Sequence, residues 1–190
     1  MLRLNEKYQK EIIPILKKEL HFSNDLAVPR VEKIVVNTSY AKLLGEANKE
    51  KKKKVLQEME RDLALITGQK PAQRKAKKSI AGFHLRAGTP VGYQVTLRGS
   101  RMNDFLERII YLTLPRTRDF RGVNPQSLDQ EGNLTLGFEE QLAFPEMAAE
   151  EERRSFGLAV TIVTTAKNRE EAKRLLTLLG FPWKKEKENG

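Results

Sequence analysis

The sequence predicts an α+β fold: a two-layer domain with a mainly antiparallel sheet, helices packed on one face and a long basic hairpin projecting from it. Three observations carry that reading. Val91 to Arg98 alternates strictly, with Val91, Tyr93, Val95 and Leu97 apolar and Gly92, Gln94, Thr96 and Arg98 on the other face, the period of a half-buried strand. Several other segments repeat apolar residues at helical spacing. Strands and helices do not follow one another as regular βαβ units, which argues against a parallel sheet.

Taken in order, Leu4, Tyr8, Ile12, Leu16 and Leu20 stand four apart, with Ile13 beside them, and make one helical stripe. Pro14 lies inside it and should kink or restart the helix. Residues 24–29 read as loop, and Val31 to Thr38 as a strand rich in β-branched residues. A helix is expected from about Glu46 to Thr67, lined by Val55, Met59, Leu63 and Ile66 and capped by Gly68. Its KEKKKK run, Lys49 to Lys54, reads as a solvated face. Gln69 to Lys78 is a weaker strand, and Ser79 to Pro90 a hairpin tip with Gly82, Gly88 and Pro90. After Gly99, Ser100 is placed to cap a helix lined by Met102, Phe105, Leu106, Ile109, Ile110 and Thr113, and Pro115 to end it. A polar loop leads to a short strand, Leu134 to Phe138, and Leu158 to Thr165 alternates again. Asn168 with Glu171 forms a capping box for a last helix, lined by Ala172, Leu175, Leu176 and Leu179 and stopped by Gly180. Residues 1–183 are expected to form a single domain and 184–190 a flexible tail.

Composition narrows the partners. The chain has 190 residues, a formal net charge of +10 and an isoelectric point near 9.8, which favours nucleic acid over an anionic membrane surface. No apolar run approaches the ~20 residues of a membrane-spanning helix, and the N-terminus lacks the apolar core of a signal peptide. There is no cysteine, so disulfides and thiolate metal sites are excluded, and a reducing compartment suits the chain. The charge is concentrated: from Leu63 to Asn103 there are eight Lys or Arg and no Asp or Glu, although acids number 25 in the chain. A surface kept clear of negative charge over that length is suited to a polyanion.

RNA recognition needs cations for phosphates, flat groups for bases and polar side chains on a rigid platform. Lys70, Arg74, Lys75, Lys77, Lys78 and Arg86 are the cations. Phe83 and His84 are flat groups next to Gly82, although Phe83 serves equally as a residue folded back on the core and His84 as an exposed residue without a role. Gln94, Thr96 and Arg98 form the polar face of a strand. Enzyme chemistry is poorly supplied. His21 and His84 are the only histidines, and His84 has no carboxylate close in sequence. No P-loop, dinucleotide fingerprint or nucleophile elbow occurs. A nuclease would require folding to gather Asp62, Asp104 and Asp119. Between Glu139 and Glu152 lie six glutamates and no Lys or Arg, a segment suited either to an ordinary acidic helix start or to a face turned toward a basic protein.

The blocks VPRVEKIVVN, GQKPAQRKAKKSIAGFHLRAGTPVGYQVTLRGSRM, LPRTRDFRGVNP, EQLAFPE and VTIVTTAKNREEAKRLLTLLGFPW resemble, in order and over nearly the whole chain, the bacterial large-subunit ribosomal protein L-five family. The resemblance implies an α+β, non-catalytic protein without cofactors, in the cytoplasmic ribosome. It also implies attachment of 5S rRNA in the central protuberance, among large-subunit rRNA and neighbouring central-protuberance proteins. It places Asn37, Gln69 and Thr96 around 5S rRNA, and Lys70, Gln94 and Arg98 join them by position. It places the tip from Arg74 to Arg86, with Arg74, Lys75, Lys77, Lys78, Ser79, Phe83, His84 and Arg86, against P-site tRNA. It also implies a bridge to a protein of the small-subunit head, and the acidic residues Glu139, Glu146, Glu150, Glu151 and Glu152 are read, from their own charge, as the face turned toward a basic protein there. The chain departs from the family pattern at SYAKLLGEANKEKKKK, at DQEGN, at Glu139 and at MAAEEERRS. The alternative reading is a free-standing RNA-binding or RNA-chaperone module outside the ribosome, with an RNA-processing enzyme third.

Overall fold

Period-two alternation turns out to mark every long strand of one five-stranded sheet. The computed structural model describes residues 3–39, 49–79, 86–147 and 155–184. Its strands are β1 (Val31–Ser39), β2 (Ala72–Lys75), β3 (Pro90–Leu97), β4 (Leu134–Phe138) and β5 (Leu158–Thr164), hydrogen-bonded in the order β2-β3-β1-β5-β4. β2 runs antiparallel to β3, with Ala72 opposite Gln94 and Arg74 opposite Gly92. β1 and β5 are antiparallel too. The Arg30 carbonyl accepts from the Thr165 amide (2.9 Å) at one end, and the Thr38 hydroxyl donates to the Gly157 carbonyl (2.9 Å) at the other.

The side chains divide cleanly between the two faces. Ile34 and Val36 of β1, Tyr93, Val95 and Leu97 of β3, Val160 and Ile162 of β5, and Leu134 and Leu136 of β4 are buried. The intervening residues other than the buried Gly92, among them Asn37, Gln94, Thr96 and Thr161, are half-buried or exposed. An antiparallel sheet can leave one face open in this way.

Packing divides the chain into two compact units. One comprises Met1–Ile34, Arg98–Leu136 and Thr161–Gly190, the other Val35–Leu97 and Gly137–Val160. In the first, a helical run over residues 4–19 (α1) buries Leu4, Ile12 and Leu16. The last helix of this unit, Arg169–Leu179, starts as its sequence indicates. Asn168 Oδ1 accepts from the Glu171 amide (2.9 Å), and the Glu171 carboxylate accepts from the Lys167 amide (3.0 Å) and the Asn168 side-chain amide (3.1 Å). Gly180, at φ 105°, ends it in the left-handed region. A groove of about 360 Å³ beside α1 is lined mainly by apolar residues. At its edge the Tyr8 hydroxyl is held by the Pro29 carbonyl (3.0 Å), and Asp25 by Lys17 (2.6 Å).

Both helices that contain an internal proline use the same device. An α-helix loses a hydrogen bond at proline and meets a clash with the preceding turn. In α1 a π-turn, Tyr8–Ile12, precedes Ile13–Glu19, so Pro14 enters at the second position of a fresh α-helical segment. Gly99–Arg108 likewise passes through a π-turn, Ile109–Thr113, into Leu114–Arg116. The wider turn removes the bond that proline would have broken. Pro115 therefore sits inside the last turn, and the helix stops one residue later, at Arg116, close to the end expected from sequence. Thr117 closes it, its amide and hydroxyl both donating to the Thr113 carbonyl (3.1 and 3.0 Å). Ser100 is not the cap. The helix begins at Gly99, with Arg98 as the capping position and no side-chain cap bond. Gly99 takes φ 60° and so turns the chain from β3 directly into the helix, leaving Ser100 within the first turn.

In the second unit, helix α2 (Lys49–Thr67) buries Val55, Met59, Leu63 and Ile66. Each fully buried aliphatic side chain of this kind is worth about 1.5–3 kcal/mol. The helix start expected at Glu46 and the turn before it lie outside the described residues, as do the hairpin tip at 80–85, residues 148–154 and the tail beyond Lys184. Where β3 passes β1 there is no room for a side chain at residue 92: a Cβ on Gly92 would run into the Thr38 carbonyl oxygen and lie 3.3 Å from Ser39 Cα. Gly92→Ala should therefore destabilise the protein by about 1–3 kcal/mol, the usual cost of overpacking, read as a lower urea midpoint at an unchanged slope. An unchanged midpoint would mean that the two strands separate at no cost.

Candidate nucleic-acid interface

The polar side of the sheet in the Val35–Leu97 unit is assembled from three places. β1 contributes Asn37, half-buried on the side of the strand opposite Val36 and Thr38. β3 contributes Gln94 and the exposed Thr96, on the side opposite Tyr93, Val95 and Leu97. Gln69 arrives from the end of α2. The buried Thr67 hydroxyl lies 2.7 Å from the Leu63 carbonyl, its donor contact, and accepts from the Gln69 amide at 3.4 Å. It thus governs how the chain leaves the helix. The Gln69 side-chain amide then donates to the Thr96 carbonyl (3.2 Å). Gln69 and Thr96, 27 residues apart in sequence, are locked side by side. Thr67 was not singled out from the sequence; a hydroxyl in the last helical turn before glycine is the signal that could have found it.

The cations flank this platform. Lys70 is 86% exposed and lies 3.9 Å from Glu60, a loose pairing that leaves its charge largely in solvent. Arg74 and Lys75 lie in β2, and Lys77, Lys78 and Arg86 are exposed beyond it. Arg74 Nε donates to Gln94 Oε1 at 2.6 Å. Ser79 is committed to the hairpin itself, its hydroxyl accepting from the Ala87 amide (3.0 Å). The Ala76 amide bonds to the Thr89 carbonyl and the Gly88 amide to the Ala76 carbonyl. The two arms are therefore joined up to the edge of the tip, while Phe83 and His84 lie outside the described residues. Arg98 belongs to the other unit, where its guanidinium meets Glu32 Oε1 at 3.1 Å. That hydrogen bond, with Lys33 and other nearby cations adding to it, holds the Glu32 carboxyl below its ordinary value. Glu139 is exposed and Glu146 half-buried; Glu150, Glu151 and Glu152 lie outside the described residues.

Among the described residues no three His, Asp or Glu side chains converge on a possible metal position. Asp62, which a nuclease would have needed, is buried in α2. Nor, among the described residues, is any helix long and apolar enough to cross a membrane.

Residues 24–86 match the family model described as ribosomal protein L5, and residues 90–183 match the model described as the C-terminus of that ribosomal family. The chain belongs to the ribosomal protein L5 family. It is 52% identical over 182 residues to the large ribosomal subunit protein uL5 of Dictyoglomus turgidum, covering 96% of this chain and 98% of that one. It is 51% identical over the same length to uL5 of Dictyoglomus thermophilum, with the same coverage, and 50% identical to uL5 of Kosmotoga olearia, covering 96% of each chain. Members of the L5 family are structural ribosomal proteins and not enzymes.

The Arg98–Glu32 pair makes a pH prediction. A carboxyl whose value is lowered in the folded state contributes stability at neutral pH, and that contribution fades as pH falls below the ordinary glutamate value and through the lowered one. In Arg98→Gln the Glu32 titration followed by NMR should move up toward the ordinary glutamate range. An unmoved titration would show that Arg98 does not hold the carboxylate.

Proposed function

We propose that this L5-family protein is a structural constituent of the large ribosomal subunit in the cytoplasmic ribosome, and that it binds 5S rRNA on the open sheet face carrying Asn37, Gln69, Gln94 and Thr96. The observation that carries the proposal is the polar, uncovered side of β3, with Gln69 locked beside Thr96 and exposed cations around it. Rigid strands hold hydrogen-bonding groups where an RNA backbone or base edge can meet them, and the cations supply the sequence-independent attraction to phosphate. Lys70 acts as one of those cations. Arg98, paired with Glu32, contributes to binding chiefly by trading that partner for phosphate. Attachment of 5S rRNA brings the protein into the central protuberance, next to large-subunit rRNA and neighbouring proteins. The hairpin tip reaches P-site tRNA, and the acidic segment from Glu139 to Glu152 faces a basic protein of the small-subunit head.

If about five to eight cations meet phosphates, log K for 5S rRNA should fall with log salt at a slope of about −4 to −7, at ~0.7 to 0.9 per contact. Asn37→Ala and Thr96→Ala should weaken binding while leaving that slope nearly unchanged, because neither removes a charge. A slope near zero in filter-binding titrations would remove the phosphate contacts from the proposal.

The tip is tested separately. Deleting residues 80–85 and closing the arms with a short turn should leave the sheet folded and reduce 5S rRNA binding only modestly. Ribosomes carrying the shortened protein should release P-site tRNA faster. Unaltered tRNA retention would mean that the tip makes no such contact.

A further inference from the structure

The hydrogen bond between Arg74 and Gln94 sits on the sheet, although Arg74 belongs by sequence to the segment leading into the hairpin tip. In the β2–β3 ladder Arg74 is opposite Gly92, and Gln94 is opposite Ala72. Opposed residues of an antiparallel pair share a face, so Arg74 and Gln94 stand on the same side of the sheet, two residues apart across the ladder. The residue opposite Arg74 has no side chain to cover it. The arginine is exposed and lies along the sheet surface toward Gln94, with Nε and Oε1 2.6 Å apart.

The chemistry of the pair fixes what it can receive. Arginine only donates, so the glutamine oxygen must be the atom that faces Nε, and the Gln94 NH₂ group is left as a donor. Using Nε–H leaves the N–H groups on the two terminal nitrogens of the guanidinium. No acidic group pairs with Arg74 among the described residues. The pair therefore offers a positively charged set of donors with its orientation already set, a match for the non-bridging oxygens of a phosphodiester.

We propose that Arg74, held by Gln94, is an RNA-phosphate contact of the sheet platform, directly continuous with the Gln94–Thr96 surface, and that it does not act with the tip on tRNA. Gln94 is its positioning residue. The inference rests on the reading of the sheet face as the 5S rRNA surface, and adds to it a charged contact on the edge strand. β2 is four residues long and exposed throughout. The charge that keeps this sheet edge from pairing with another chain thereby becomes available to the ligand.

The test uses the full-length protein and 5S rRNA, with affinity measured across a salt series for Arg74→Ala, Arg74→Lys, Gln94→Ala and the Arg74→Ala/Gln94→Ala double variant, beside Asn37→Ala and Thr96→Ala. Thermal unfolding checks that each variant is folded. Arg74→Ala should weaken binding about tenfold and make the salt slope shallower by about 0.7 to 0.9. Arg74→Lys should keep the slope and still lose affinity, because an ammonium cannot reproduce the guanidinium fork beside Gln94. Gln94→Ala should weaken binding in the native background and add little once Arg74 is gone, the sign of a coupled pair. If Arg74→Ala changes neither affinity nor slope while Asn37→Ala and Thr96→Ala weaken binding, the Arg74 contact is overturned and the sheet reading stands. If Arg74→Ala impairs only P-site tRNA retention in ribosomes, the arginine belongs to the tip and the inference fails. If none of the four positions affects 5S rRNA binding, the sheet reading falls and this inference with it.

Discussion

The sheet can be buried on one side only, and most of what the protein presents to a partner follows from that constraint. β3 fills its inner side with Tyr93, Val95 and Leu97, which forces Gln94 and Thr96 onto the opposite side by the pleat alone. Covering that side with the protein's own helices would take the polar groups out of water and require a partner for each. Left open, the same groups remain available to an RNA. The close approach at Gly92 belongs to the same constraint. A strand that meets β1 without room for a Cβ presents its polar residues on a surface with little freedom to shift.

Arginine side chains in this protein are held in two ways. Arg98 and Arg174 are engaged by carboxylates, Glu32 at 3.1 Å and Glu19 at 2.6 Å. Exposed pairs of this type contribute little to stability, and their effect is to set where the side chains lie. Arg74 is ordered by a neutral amide instead. The geometric effect is similar, but the positive charge is not neutralised. On the proposed RNA surface the second arrangement is an advantage, since an internal carboxylate would have to be displaced before phosphate could bind. The absence of Asp and Glu between Leu63 and Asn103 is the sequence-level form of that rule.

The two π-turns show how a helix accommodates a proline in its interior. Proline in mid-helix is incompatible with an uninterrupted α-helical ladder, and both Pro14 and Pro115 are accompanied by a break in it. The break takes the form of one wider turn just upstream, after which the helix continues. Burial explains why continuation wins. Ile12 and Leu16 lie on either side of Pro14, and Thr113 and Leu114 immediately precede Pro115; all four are buried. Ending the first helix at Pro14 would have carried Leu16 away from the core it shares with Ile12.

The sequence by itself determined the element types, the inward residues and the character of the ligand. Each depends on patterns contained in a short window: period two in β3, helical spacing in α2 and in Ala172, Leu175, Leu176 and Leu179, the reciprocal Asn168–Glu171 cap, and the long run without acids. It also carried the family, because blocks such as GQKP and VTLRG occur in order along the chain. Tertiary structure alone decided which polar residues meet. Gln69 finds Thr96 across 27 residues, Arg74 finds Gln94 across 20, and Arg98 finds Glu32 across 66. Those pairings depend on strand register and on how the chain leaves α2 at Thr67. Register is a property of two segments held together by their hydrogen bonds and their shared core, so no window of the sequence around either partner contains it.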